Sequence, residues 1–199
     1  MGWLKPMKNE SIESYAGRYR EKITAADPVL LGYSFGGVIA IELSKQIPTR
    51  KVILISSTKT CADVPAYIRL AGKLRLYKLI TLRRVLKMRA LLPFLFEAKK
   101  EEEKNLVFDM LRKTDPDVFK WAVEIICTWK NTEATSNIVQ VHGTDDRILP
   151  YHYVKCDYTI RDGSHLMILN RAQEISELLK KLTGDEFAEK KSGIRKIIG

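Results

Sequence analysis

The stretch Gly32-Tyr33-Ser34-Phe35-Gly36-Gly37 constrains this chain more than any other. An apolar run, Val29-Leu30-Leu31, precedes it, and a helix-like run, Val38-Ile39-Ala40-Ile41-Glu42-Leu43, follows. That order reads as a strand, a very tight turn and a buried helix, with a serine at the apex. A G-x-S-x-G pattern in this setting is a nucleophile elbow. The turn holds Ser34 in a backbone conformation that is costly for any residue but glycine. Gly32 and Gly36 are expected to let strand and helix approach on either side of it. The helix starts directly behind the serine, so its unpaired N–H groups face any oxyanion formed there. Phe35 N–H is the expected donor.

An elbow of this kind needs a carboxylate and a histidine further along, each just past a strand. Before it, Ile12, Tyr15, Ala16, Tyr19 and Ile23 recur at helical spacing, with Asn9 or Ser11 as cap. Asp27-Pro28 ends that helix. After the elbow helix, Lys51-Val52-Ile53-Leu54-Ile55 is a continuous apolar run, as expected of a buried parallel strand. Residues 63–133 then carry no strand signal. Within them, 66–96 is leucine-rich and basic, with Lys73, Arg75, Lys78, Arg83, Arg84, Lys87 and Arg89. Asp115-Pro116 opens a further helix on which Val118, Ala122, Ile125, Ile126 and Trp129 share a face. Strand character returns at Ile138-Val139-Gln140-Val141-His142, directly before Gly143-Thr144-Asp145-Asp146. A last strand, Tyr158-Thr159-Ile160, precedes Asp162-Gly163-Ser164-His165.

The pattern predicts one α/β domain: a mostly parallel sheet of about four or five strands, with a helical cap inserted between strands. The expected segments are 1–62 with the elbow, 63–134 as cap, 135–183 with acid and histidine, and 184–199 as a charged tail. Ser34, Asp146 and His165 each follow a strand in the order the elbow demands. Parallel strands bring their carboxyl ends to one edge, so the three can meet. His165 would act as general base to Ser34, and Asp146 would hold the imidazole; Asp145 is the competing acid. Tyr33 and Trp129 are expected at the substrate pocket. His142, inside a strand, is expected to take no part in the chemistry.

With Gly-Tyr-Ser-Phe-Gly-Gly at 32–37, His-Gly-Thr-Asp-Asp-Arg-Ile-Leu-Pro at 142–150 and Asp-Gly-Ser-His-Leu-Met at 162–167, the sequence resembles the α/β-hydrolase fold superfamily. The resemblance runs from about residue 9 to 182. It implies a serine hydrolase that cleaves a small-molecule ester or thioester through an acyl-enzyme on Ser34, without a cofactor. It also exposes a departure. Members of the superfamily have strands before the elbow and a His-Gly loop that supplies a second oxyanion N–H. Here a short stub and one helix precede Val29. The alternative reading is therefore an N-terminally truncated, catalytically impaired fold acting as a binding module. The uncovered elbow strand would be an apolar edge, and pairing with a second copy is one way to cover it.

Composition adds limits. The net charge is +10, but lysine and arginine are spread along the chain without interleaved aromatics, so nucleic acid is not an expected partner. Cys61, Cys127 and Cys156 show no metal-ligand spacing, so no metal is expected. Reduced thiols suit a cytoplasmic protein. No apolar run approaches the length of a membrane span.

Overall fold

The structure is a computed structural model, and it describes residues 2–184. A short helix, α1 (Ile12–Gly17), comes first, with Ser11 capping it by accepting from Ser14 N–H. It is shorter than the periodicity predicts. The chain leaves the α-helix at Gly17 and makes a 3-10 turn at Arg20–Lys22, which still buries Tyr19. Next come β1 (Val29–Tyr33), α2 (Phe35–Ser44) and β2 (Lys51–Ile55). The helices α3 (Ala66–Lys73), α4 (Leu82–Lys87), α5 (Leu91–Phe96), α6 (Glu101–Lys113) and α7 (Pro116–Thr128) follow. The chain then returns to the sheet with β3 (Ile138–Gly143) and β4 (Tyr158–Ile160), and closes with α8 (Met167–Asn170) and α9 (Ala172–Thr183). The tail at 185–199 lies outside the described residues.

Among the described residues the sheet has four strands in the order β1-β2-β3-β4, every pair parallel. Strand alternation splits its side chains between two layers. Leu30, Val52, Leu54 and Ile138 pack under α1 and α2. Ile53, Ile55, Val141 and Ile160 pack against Met167 and Ile175 of α8 and α9. A third cluster, built from Leu82, Leu92, Val107 and Leu111, holds the helical insertion together. Leu166, the residue after His165, belongs to that cluster and fastens the insertion to the site.

The tight approach at the elbow is made by Gly32, as expected, but on the helix side by Gly37 in place of Gly36. A Cβ on Gly32 would run into Gly37 Cα and lie 2.7 Å from Gly36 O, and one on Gly37 would strike Ser57 Oγ. A Cβ on Gly36 would meet nothing within 4 Å. Gly37, not Gly36, is thus the helix-side glycine that the packing requires, because it faces the end of β2. Gly32→Ala is expected to cost about 3 kcal/mol, and Gly36→Ala to stay within about 0.5 kcal/mol. Urea titration of the two variants reads the difference; equal midpoints would refute this assignment.

Among the described residues β1 is an edge strand. Ser34 N–H donates to Ile55 O and Arg50 N–H to Pro28 O, so the even-numbered residues of this strand point their backbone groups at β2. The N–H and C=O groups of Val29, Leu31 and Tyr33 therefore face outward. The stub before α1 forms no strand; Tyr15 Oη and Tyr19 Oη hold it through Leu4 and Gly2. An apolar groove opens between Trp3, Tyr19 and Ile23 on one side and Leu31 and Gly32 of β1 on the other.

Candidate active site

Ser34 sits between β1 and α2 with φ 51° and ψ −125°, a left-handed value that a non-glycine residue holds only under constraint. Two hydrogen bonds supply the constraint. Its carbonyl accepts from Gly37 N–H at 3.0 Å and from Ser57 Oγ at 2.7 Å. Ser57 is fully buried just past β2 and is a positioning residue that the sequence gives no motif to find. Phe35 is the first residue of α2, and its N–H is one of the helix-terminal donors without an intrahelical acceptor.

The loops after β3 and β4 are joined to each other. Thr144 N–H donates to Ile160 O and Asp145 N–H to Gly163 O, while Gly143 and Gly163 approach too closely for a Cβ on Gly143. This brings Asp146 and His165 together. Asp146 Oδ2 lies 2.8 Å from His165 Nδ1, and Asp146 Oδ1 accepts from Ile148 N–H and Leu149 N–H, each at 2.9 Å. His165 Nε2 lies 2.9 Å from Ser34 Oγ. A carboxylate can only accept, so the proton sits on Nδ1 and Nε2 is left to accept from the serine hydroxyl. Asp146 is 3% exposed and His165 2%. Burial alone would push the Asp146 carboxyl up. The electrostatic pull of His165 and its Nδ1–H hydrogen bond, with the Leu149 N–H, outweigh it and hold Asp146 below its ordinary value. Asp145 is turned away, accepting from the Thr144 hydroxyl at 2.9 Å.

Tyr33 is beside the histidine, with ring centroids 5.4 Å apart, but its hydroxyl donates to His165 O at 2.8 Å. It therefore braces the imidazole. Burial, with the Asp146 charge behind it, pushes its phenol well above the ordinary value, so it stays a donor. Trp129 is not brought to the site. Its indole is buried among α1 and α2 residues, and Nε1 donates to Glu42 Oε1 at 2.8 Å. The expectation fails because the face shared by Trp121, Ile125 and Trp129 packs on the core rather than on the strand ends. From the helical insertion, Phe96 of α5 reaches the site, edge-on to His165 at 5.6 Å.

His142 was expected to stand apart from the chemistry, yet it lies fully buried 3.6 Å from Asp146 Oδ2. Its Nε2–H donates to Leu149 O at 2.8 Å, and Nδ1 has no partner. Burial pushes it below 6.5, against the raising pull of Asp146 and Asp63. A lowered histidine is neutral in the folded protein and takes up a proton on unfolding, so its contribution to stability is full above 6.5 and is lost as pH falls. Melting temperature is thus expected to drop on acidification below about 6.5, and His142→Gln to flatten that slope. An unchanged slope in the variant would assign it elsewhere.

No family model and no curated protein sequence matches the chain. Solved structures do. A thermophilic esterase from Thermogutta terrifontis aligns at 16% identity and TM-score 0.62 over 87% of this chain and 73% of its own. A hydrolase from Pseudomonas aeruginosa PA01 aligns at 11% identity and TM-score 0.67, covering 90% and 74%. The meta-cleavage product hydrolase of Pseudomonas fluorescens IP01 aligns at 15% identity and TM-score 0.60, covering 90% and 74%. The chain has the α/β-hydrolase fold.

Proposed function

We propose that this chain is a serine hydrolase that cleaves an ester or thioester through an acyl-enzyme on Ser34. The observation that carries the reading is the unbroken chain from Ser34 Oγ to His165 Nε2 and from His165 Nδ1 to Asp146 Oδ2, at 2.9 and 2.8 Å. In this reading His165 removes the serine proton as Oγ attacks the carbonyl, then returns it to the leaving alcohol or thiol. Asp146 fixes the tautomer and stabilises the imidazolium. Phe35 N–H receives the oxyanion. Residues 63–134 act as cap, and Phe96 contributes an apolar wall. The likeness to an esterase and to a hydrolase supports the reaction class. Labelling with a fluorophosphonate probe tests the reading, since the probe traps only an activated serine.

The open β1 edge favours a second reading, a binding module with a weakened site. One oxyanion donor is assigned here, and loss of a single donor costs about 10²–10³ in turnover. The two readings meet if a second copy pairs along β1 and completes the site. Labelling that disappears on dilution to a monomer would support that pairing, and undiminished labelling of a monomer would end it.

A further inference from the structure

The stretch 66–96 carries eight lysines and arginines, Arg69 included, and no aspartate or glutamate. All eight are exposed, and among the described residues none of them is paired with a carboxylate. The same stretch holds nine of the fifteen exposed large apolar side chains of the described residues, though it is less than a sixth of the sequence. A soluble face does not need this. Apolar residues of a surface helix normally turn inward, and single exposed ones are scattered.

Local packing shows that the exposure is built in. In α3, Gly72 lies against the backbone of Cys127 in α7, so closely that a Cβ would overlap the Cys127 carbonyl. At 100° per residue, Tyr67, Leu70 and Leu74 fall on the opposite side of the helix from Gly72. They are 56%, 55% and 60% exposed. In the 3-10 turn that follows, Tyr77 is anchored inward, its hydroxyl donating to Glu124 Oε1 at 2.9 Å. Leu76 and Leu79, three residues apart and eclipsed on that turn, face out. Lys73 borders the apolar face of α3 on the Leu70 side, and Arg69 lies beyond it on that same side. Further on, α5 exposes Phe94 while its Phe96 lies against His165. The basic apolar stretch therefore ends at the candidate active site.

We propose that this face docks on the surface of an anionic phospholipid bilayer, with the leucines in the acyl boundary and the flanking cations among the headgroups. Charge complementarity selects the occupant. A row of cations without a counter-charge repels a second copy of itself, whereas an anionic leaflet attracts it. Long basic side chains keep their charge in the headgroup layer while their stems cover apolar surface. Among the described residues no helix is long and apolar enough to cross a membrane, so the docking is peripheral. The proposal does not depend on the chemistry assigned to Ser34.

The test is co-sedimentation of the full chain with vesicles of phosphatidylcholine and phosphatidylserine at about 3:1, against pure phosphatidylcholine. Binding to the mixed vesicles is expected to exceed that to the neutral ones by at least about tenfold. A Leu74→Asp, Leu79→Asp variant should keep its circular dichroism spectrum and lose about tenfold in partitioning. Arg69→Glu with Lys73→Glu should lose about fivefold per site. No binding to mixed vesicles overturns the proposal. So does binding that ignores the leucine variant and is matched by heparin or RNA, which marks a general polyanion surface. A lipid-free dimer abolished by the leucine variant would give the face to a second copy and likewise overturn it.

Discussion

Ser34→Ala and His165→Ala are each expected to abolish fluorophosphonate labelling, with the acylation rate falling on the order of 10⁴-fold or more. The serine supplies the attacking oxygen, so its loss removes the reaction outright. The histidine matters almost as much, because a serine hydroxyl is a weak nucleophile until a base takes its proton. His165 Nε2 is the base within reach, at 2.9 Å. Groups that act as one unit are not additive, so the double variant should label no more weakly than either single one. Ser34→Ala should keep the native melting transition, since alanine leaves the Ser57 and Gly37 hydrogen bonds to the backbone carbonyl of residue 34 in place. His165→Ala strips the buried Asp146 carboxylate of its partner and is expected to melt lower while remaining folded. A folded wild-type protein that stays unlabelled would sink the hydrolase reading and leave the binding module.

Asp146→Asn is expected to lower the labelling rate by about 10⁴, and Asp145→Asn to leave it within about twofold. The contrast rests on the partners of each residue. Asp146 Oδ1 is fixed by two backbone N–H groups, so an asparagine there must direct its amide nitrogen at His165. That nitrogen donates and cannot accept the Nδ1 proton. The imidazole then carries its hydrogen on Nε2, facing the serine, and cannot act as base. The Asp145 carboxylate accepts from the neighbouring Thr144 hydroxyl alone, and the backbone bond of residue 145 to Gly163 O survives the substitution. Equal losses in both variants would mean that the loop, and not the carboxylate, is what matters.

Much of this architecture is legible in the residue order. Val29–Tyr33, Lys51–Ile55 and Ile138–Gly143 are visible as apolar or β-branched runs because strands covered on both faces need continuous hydrophobicity. Tyr158–Ile160, exposed at two of its three residues, is visible from its aromatic and β-branched composition. Ser34, Asp146 and His165 stand out because each follows such a run, and parallel strands share one carboxyl edge. Trp129 shows where this reasoning stops. Helical periodicity identifies which residues share a face, but not which layer that face meets; the answer, Glu42 and the core around α2, lies 87 residues away in sequence. Ser57, His142 and Phe96 carry no motif, since a buried serine, a strand histidine and a helix phenylalanine look ordinary until neighbours are assigned. The exposure of Leu70 and Leu74 is likewise hidden. Their spacing is that of a core stripe, and only the packing of Gly72 on α7 turns them outward.

What the sequence alone determined is the set of elements, the elbow, and the three chemical groups at strand ends. These depend on local backbone preferences and on the period of apolar residues, both written along the chain. Tertiary structure alone decided that Gly37 rather than Gly36 sets the helix approach, that Asp146 rather than Asp145 meets the histidine, and which apolar residues stay in water. Those outcomes depend on distances between segments remote in sequence, where a shift of one residue or one helical face changes the partner.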